Sequence, residues 1–255
     1  MKDISRRSFT HRLLSSLLSF SLVKALLDGD LLAQTIKPPV HQWLTDLEQI
    51  SKELRRANLK PADWQKKVAE LFTHVELSDV LRTINFDRLA KMIKLSNERE
   101  AVREIKLPSL DAVLTDLTYS TLFEALKKGR AIAPHGHRNM ATAHLILRGQ
   151  VHLRQYDRLR NEPDHLIIRP TVDRLSETGQ LSTISDAKDN IHWFRGVSEV
   201  TYIFNAGIYG VNPSEGFIGR EYIDPSRGQR IEGELIRVRK LNQEEAFRLY
   251  NRAQE

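Results

Sequence analysis

A chain of 255 residues that is 40% hydrophobic and 28% charged, with 12 Gly and 9 Pro, can bury a core, which excludes a disordered, collagen-like or low-complexity polymer. The absence of cysteine excludes disulfides, thiolate metal ligands and a cysteine nucleophile. The net charge of +6 comes with acids set among the bases, as in Glu98-Arg99-Glu100 or Arg237-Val238-Arg239-Lys240 before Glu244-Glu245, so no aromatic-studded basic stripe marks a nucleic-acid partner.

Near the start, Ser5-Arg6-Arg7-Ser8-Phe9 precedes an uncharged run from Leu13 to Val23 that is too short to span a bilayer. The arginine pair with Phe two positions on resembles a bacterial twin-arginine export signal. Thr10 and His11 stand where Leu and Lys are usual, and Leu31-Leu32-Ala33 departs from a small-x-small cleavage site. Residues 1–33 are therefore expected to engage export machinery and to send the protein to the periplasm or beyond, with no stable membrane span. The other reading is an amphipathic N-terminal helix on a cytoplasmic protein.

From residue 41 to about 95 the apolar spacing is helical. Trp43, Leu44, Leu47, Ile50 and Leu54 form one stripe, and Trp64, Val68, Leu71, Phe72 and Val75 the next. Pro61-Ala62-Asp63 is a start signal between them, and Ser78 is placed to cap a third short helix through Leu81 and Ile84. These aromatics sit at core spacing, so the segment reads as a helical extension that packs on the rest, with a mouth of the barrel as one place it can cover.

After Pro108 the period shortens to strands broken by turn residues. Extended runs are expected at Val113 to Thr121, Ala131 to Pro134, Ala143 to Leu147, Val151 to Tyr156, Leu166 to Arg169, Ile191 to Phe194, Val200 to Phe204 and Leu235 to Val238. Many short strands without crossover helices predict a mainly-β jelly-roll barrel over residues 105–241. Residues 242–255, with Ala246, Leu249 and Tyr250 on one side, predict a closing helix.

His135-Gly136-His137 sits inside this β region. Residues i and i+2 of an extended chain share a face, so the two imidazoles can converge on one ion. His144 shares strand parity with Thr142, while Ala143, Leu145 and Leu147 form the apolar parity and compete for the barrel interior.

The run from His135 through Gly149 resembles the first motif of the cupins, His-x-His, then a glutamate, then a glycine closing the strand. His135, His137 and Gly149 match, and Thr142 stands at the glutamate position. The second cupin motif places a third ligand at His192 in Asp189-Asn190-Ile191-His192-Trp193-Phe194. With Met140, this three-histidine pattern over Leu122 to Tyr209 is similar to the thiol dioxygenases, nearest the branch of cysteamine dioxygenase and plant cysteine oxidases. The resemblance implies a cupin (double-stranded β-helix) barrel, an Fe(II) centre on His135, His137 and His192, a small thiol and O2 as substrates, and a sulfinic acid as product. Three imidazoles also suit Zn, Mn, Ni or Cu.

Around that set, Thr142, His144 and Asn190 are candidates to orient the ligating rings, and Arg138, Arg195 and Tyr209 to contact substrate or assist proton transfer. Asn205 falls where the plant-type branch often has aspartate, and without cysteine the cysteine–tyrosine crosslink of animal-type cysteine dioxygenases is impossible. Two other functions stay open: another metal-dependent cupin enzyme, such as a ring-cleaving dioxygenase or an isomerase, and a non-catalytic periplasmic module that binds metal or ligand.

Overall fold

The computed structural model describes residues 40–105, 117–216 and 218–251. The expected export signal and the first part of the strand expected at Val113 lie outside them. Among the described residues four helices come first: α1 (Val40–Arg55), α2 (Pro61–Thr73), α3 (Leu77–Thr83) and α4 (Phe86–Met92). Glu76, not Ser78, takes the N-cap position of α3, so Ser78 falls in its first turn. The unforeseen α4 is entered through Asn85 in a left-handed conformation, with φ of 54°.

Eleven strands follow among the described residues: β1 (Ala101–Glu104), β2 (Ser120–Lys127), β3 (Ala131–Arg138), β4 (Met140–Arg148), β5 (Gln150–Asn161), β6 (His165–Glu177), β7 (Leu181–Ser185), β8 (Ile191–Gly196), β9 (Val200–Tyr209), β10 (Ile218–Arg230) and β11 (Ile236–Leu241). Helix α5 (Gln243–Asn251) is the last described element and lies within the expected C-terminal helix. One sheet runs β1-β2-β9-β4-β7, and the second runs β3-β8-β5-β6 and is closed into a ring by β11 and β10. All pairs are antiparallel. The order β2-β9-β4-β7 facing β3-β8-β5-β6 interleaves two Greek keys, which is the jelly roll expected of a cupin-type barrel.

Between the sheets lie Leu126, Ile132, Ile146, Val151, Leu153, Phe194 and Ile203. The other face of the β4–β9 sheet carries Ala141, Ala143, Leu145, Leu147, Phe204, Ala206 and Ile208, and these pack against Trp43, Leu44, Leu47, Trp64 and Val68 of α1 and α2. The helices thus cover the outside of a sheet. Each fully buried leucine such as Leu44 or Leu47 contributes roughly 1.5–3 kcal/mol of apolar burial. This arrangement corrects the parity: Ala143, Leu145 and Leu147 lie under the helices, and Thr142, His144 and Ile146 belong to the barrel interior.

The ring-closing β10–β11 ribbon buries a further apolar group, Tyr156, Leu166, Ile168, Ile191, Ile223 and Val238. Because Ile191 and His192 are adjacent on β8, this group lies on the face of the sheet opposite the histidines. Pro134 marks an irregularity in β3, where the pairing slips between Ile132↔Phe194 and His135↔His192. A bulge suits proline, which lacks a donor for the ladder, and it turns His135 to the same side as Ile132. At the β4–β5 turn Gly149 has φ of +92°, and a Cβ there would stand 2.9 Å from the carbonyl oxygen of Val200, so only glycine fits.

Candidate metal centre

His135 and His137 project from β3, and His192 from the neighbouring β8 directly opposite His135 in the ladder. One ring nitrogen from each lies within 4.8 Å of the others, and all three side chains are buried. The Nε2 atoms of His135 and His192 are 2.9 Å apart. At this separation both lone pairs could reach one ion at about 2.1 Å. His135 Nδ1 lies 2.7 Å from the carbonyl oxygen of Ala133, which fixes the proton on Nδ1 and leaves the Nε2 lone pair facing the cluster. The Nδ1 atoms of His137 and His192 are buried with no hydrogen-bond partner.

The charge environment keeps these rings neutral. Burial first, then the positive charge of Arg220 and the neighbouring rings, holds His135 well below the ordinary imidazole range. His192 is likewise depressed, by burial and then by His144, His137 and Arg220. Burial and Arg220 push His137 down to about 3 and His144 to about 3. Neutral imidazole is the form that ligates metal. The site is a three-histidine group able to hold a metal ion.

Comparison with known proteins adds little. No family model and no curated protein matches this chain. Solved structures that resemble part of it include procruciferin, the 11S globulin of Brassica napus, at 16% identity and a TM-score of 0.33, covering 45% of this chain and 26% of that one. A recombinant oxalate oxidase in complex with glycolate matches at 15% identity and a TM-score of 0.33, over 48% of this chain and 56% of that one. The TT1209 protein of Thermus thermophilus matches at 15% identity and a TM-score of 0.34, over 47% of this chain and 92% of that one. The chain thus spans about a quarter of the globulin and about half of the oxalate oxidase. The strand order, not these likenesses, carries the jelly-roll assignment.

The remaining residues singled out from sequence fall into three groups. His144 enters the interior, its ring centroid 4.9 Å from that of His192 and 5.2 Å from that of Phe194. Thr142 is buried beside it and donates to Asn205 Oδ1 at 2.7 Å, while Asn205 Nδ2 donates to His144 Nε2 at 3.0 Å. Asn190 acts on backbone, not on a ring: its Nδ2 donates to the carbonyl oxygen of His137 at 2.8 Å.

Arg138 and Arg195 are the correction. Each is an odd number of residues from a histidine on its own strand and so points to the opposite face. Arg195 lies over Trp193 and donates to the carbonyl oxygens of Gly129 and Tyr250, at 3.3 and 3.5 Å. Arg138 shares the side of β3 where Arg158 lies, and the two positive charges act on each other. Tyr209 ends β9 at the rim, partly exposed, on the parity of Asn205 and Gly207; burial, and then the charge of Glu124, raise its hydroxyl pKa.

Two charged residues escaped the sequence reading. Glu124 on β2 is buried, its Oε1 accepting from Asn205 Nδ2 at 3.3 Å and its Oε2 without a hydrogen-bond partner. Burial, opposed by Arg220, raises it to about 7. Its signal was present, since Glu124 has the parity of Leu126, an interior residue. Arg220 on β10 pairs with Glu100 and borders a cavity of about 750 Å³ together with Tyr222, whose ring lies 5.7 Å from that of His135.

Proposed function

We propose that His135, His137 and His192 hold Fe(II) and that the protein is a dioxygenase that converts a small thiol to a sulfinic acid, both atoms of O2 entering the sulfur. The observation that carries the reading is the donor set: three convergent, neutral imidazoles with no carboxylate among them. When bound, a divalent iron keeps its full charge on such a set and accepts a thiolate beside O2. The chain's own residues favour an anion there. Arg220 sets a positive field at all four interior histidines, and Thr142 turns its hydroxyl to Asn205, so the position that a glutamate fills in the cupin motif carries no charge. His144, held by Asn205, packs against His192, and Tyr209 at the rim is proposed to exchange a proton with an entering substrate. The cavity beside Arg220 and Tyr222 is the proposed approach.

The test is anaerobic purification with metal analysis, followed by oxygen uptake with a panel of small thiols. About one iron per chain with thiol-dependent uptake and a sulfinate product is expected; zinc with no uptake overturns the reading. We further propose that residues 1–33 direct export, that residues 41–95 and 242–255 are extensions of a barrel over 105–241, and that the protein works in the periplasm. Replacing Arg6 and Arg7 by Lys should then retain the protein in the cytoplasm, and unchanged export would refute the signal.

A further inference from the structure

On the back of β8, one residue beyond His192, Trp193 forms the floor of a second cavity of about 380 Å³, lined by His152, Arg154, Arg195, Arg227, Ser226 and Tyr250 among others. It lies on the opposite face of the strand from the three histidines. Arg154 and Arg195 both pack on the Trp193 ring, their guanidinium carbons 4.7 and 5.6 Å from its centroid. Among the described residues Arg154 hydrogen-bonds through its Nε, to Asp173, which leaves its two Nη groups to bind an oxyanion.

The charges here are poorly compensated. Asp173 accepts from Arg154 at 3.0 Å and also pairs with His152. Arg227 reaches Asp224 only at 4.0 Å, and Tyr250 and Ser226 already donate to the Oδ1 of that same carboxylate. Among the described residues Arg195 has no carboxylate within ion-pair distance; it donates to two backbone carbonyls. Burial, and then the charge of Arg154, depress its guanidinium pKa, so an anion between the two would relieve both.

We propose that this cavity is a binding site for a phosphate group, held by Arg154, Arg195 and Arg227 around the Trp193 ring. Three guanidiniums favour a dianion over a monocarboxylate, and the small volume fits a phosphate with a short substituent rather than a nucleotide. The site is separate from the proposed catalytic centre and stands whether or not that centre is a thiol dioxygenase.

The probes are inorganic phosphate and phenyl phosphate, titrated in a chloride buffer by calorimetry and by tryptophan fluorescence. The chain has three tryptophans, and Trp43 and Trp64 are 1% exposed in the helical core, so a fluorescence change on binding reports Trp193. Saturable binding of either probe is expected, phenyl phosphate alone if the ligand is a monoester and both if the site takes the free ion. Arg227→Gln, at a side chain that is 73% exposed, should keep the fold and weaken binding roughly tenfold, as for one lost charge-assisted hydrogen bond. Arg154→Gln/Arg195→Gln should abolish it, with unchanged circular dichroism as the folding control. Trp193→Phe should remove the fluorescence change while calorimetry still detects weakened binding. No saturable signal with either probe, or equal affinity in Arg227→Gln and the parent protein, overturns the proposal.

Discussion

Gly136, the residue between the two histidines of β3, gives a direct test of how the site is built. A Cβ at Gly136 would lie 2.5 Å from Arg158 Nη2, 2.9 Å from Asn190 Oδ1 and 3.0 Å from Ile191 Cγ1. Its backbone is not in the left-handed region, so Gly136→Ala acts by crowding alone. None of the three neighbours yields freely. Arg158 pairs with Glu221 at 2.9 Å, Asn190 donates to the carbonyl oxygen of His137 at 2.8 Å, and Ile191 is buried one residue before His192. Overpacking a tight site costs about 1–3 kcal/mol. Loss of the Asn190 hydrogen bond adds about 0.5–1.5 kcal/mol. Together they predict a loss of roughly 2–4 kcal/mol in stability by urea denaturation at unchanged m-value. Since the methyl pushes β3 and β8 apart where all three histidines sit, metal affinity should fall by roughly 10–100-fold, the range seen when groups supporting ligands are lost. Asn190→Ala in the same chain should recover part of the loss, because it removes one of the obstructing atoms. A Gly136→Ala protein with parental stability and parental metal affinity would refute the close packing behind the histidine strand.

Three shorter tests follow. His192→Ala should strip the metal while far-UV circular dichroism stays largely unchanged; full metal occupancy would mean that β8 does not supply the third ligand. Trp43→Ala should cost about 3–5 kcal/mol of stability, as for a large aromatic removed from a core, without changing metal content, because Trp43 packs on Phe72 and Phe204 on the far side of the sheet from the histidines; coupled loss of metal would contradict that separation. Glu124 gives a pH test: its folded pKa is raised from 4.5 to about 7, so the folded state binds the extra proton and stability falls as pH rises from about 4.5 to about 7. Glu124→Gln should remove that slope and raise stability at pH 8 by at most roughly 3 kcal/mol. A parallel pH profile in the variant would place the carboxyl in a wetter environment.

The helical stripes, most of the short strands and the closing helix were legible because burial on one side leaves a period. Strand β4 was harder: Met140 to Leu147 is buried throughout, since one face meets α1 and α2 and the other the barrel interior. With both faces covered, alternation no longer says which face is which. Ribbon β10–β11 was half missed, because Gly219, Pro225 and Gly228 are turn-type residues and pairing irregularities, one against β3 and one against β11, carry the strand past them. At the site, local spacing was enough to bring His135 and His137 together, and the second motif supplied His192. Arg138 and Arg195 were drawn in by nearness in sequence, which on a strand puts adjacent residues on opposite faces. Arg220 arrives from β10, far from the histidines in sequence, with no local pattern to tie it to the site, whereas Glu124 shares the parity of the interior Leu126 on β2.

The position of Thr142 remains the sharpest discriminator. Carboxylate is not absent from the interior; Glu124 brings one in from β2, but Asn205 holds it, and it is not among the convergent ligand atoms. If the donor set rather than the barrel makes the site favour anions, Thr142→Glu should change that preference while the three histidines stay in place. The larger side chain displaces the Thr142–Asn205 hydrogen bond and sets a second carboxyl near Glu124, so the metal-free variant should lose about 1–3 kcal/mol from crowding and more at alkaline pH, where both carboxyls ionise. Azide titration of the cobalt-loaded proteins, followed by visible absorption, reads the anion preference directly. The parent should bind azide at least tenfold more tightly than the variant, since an added carboxylate ligand lowers the net charge of the centre. Equal azide affinity in two well-folded, cobalt-loaded proteins would show that the all-histidine set does not determine which substrates the site accepts, and the thiolate assignment would lose its physical basis.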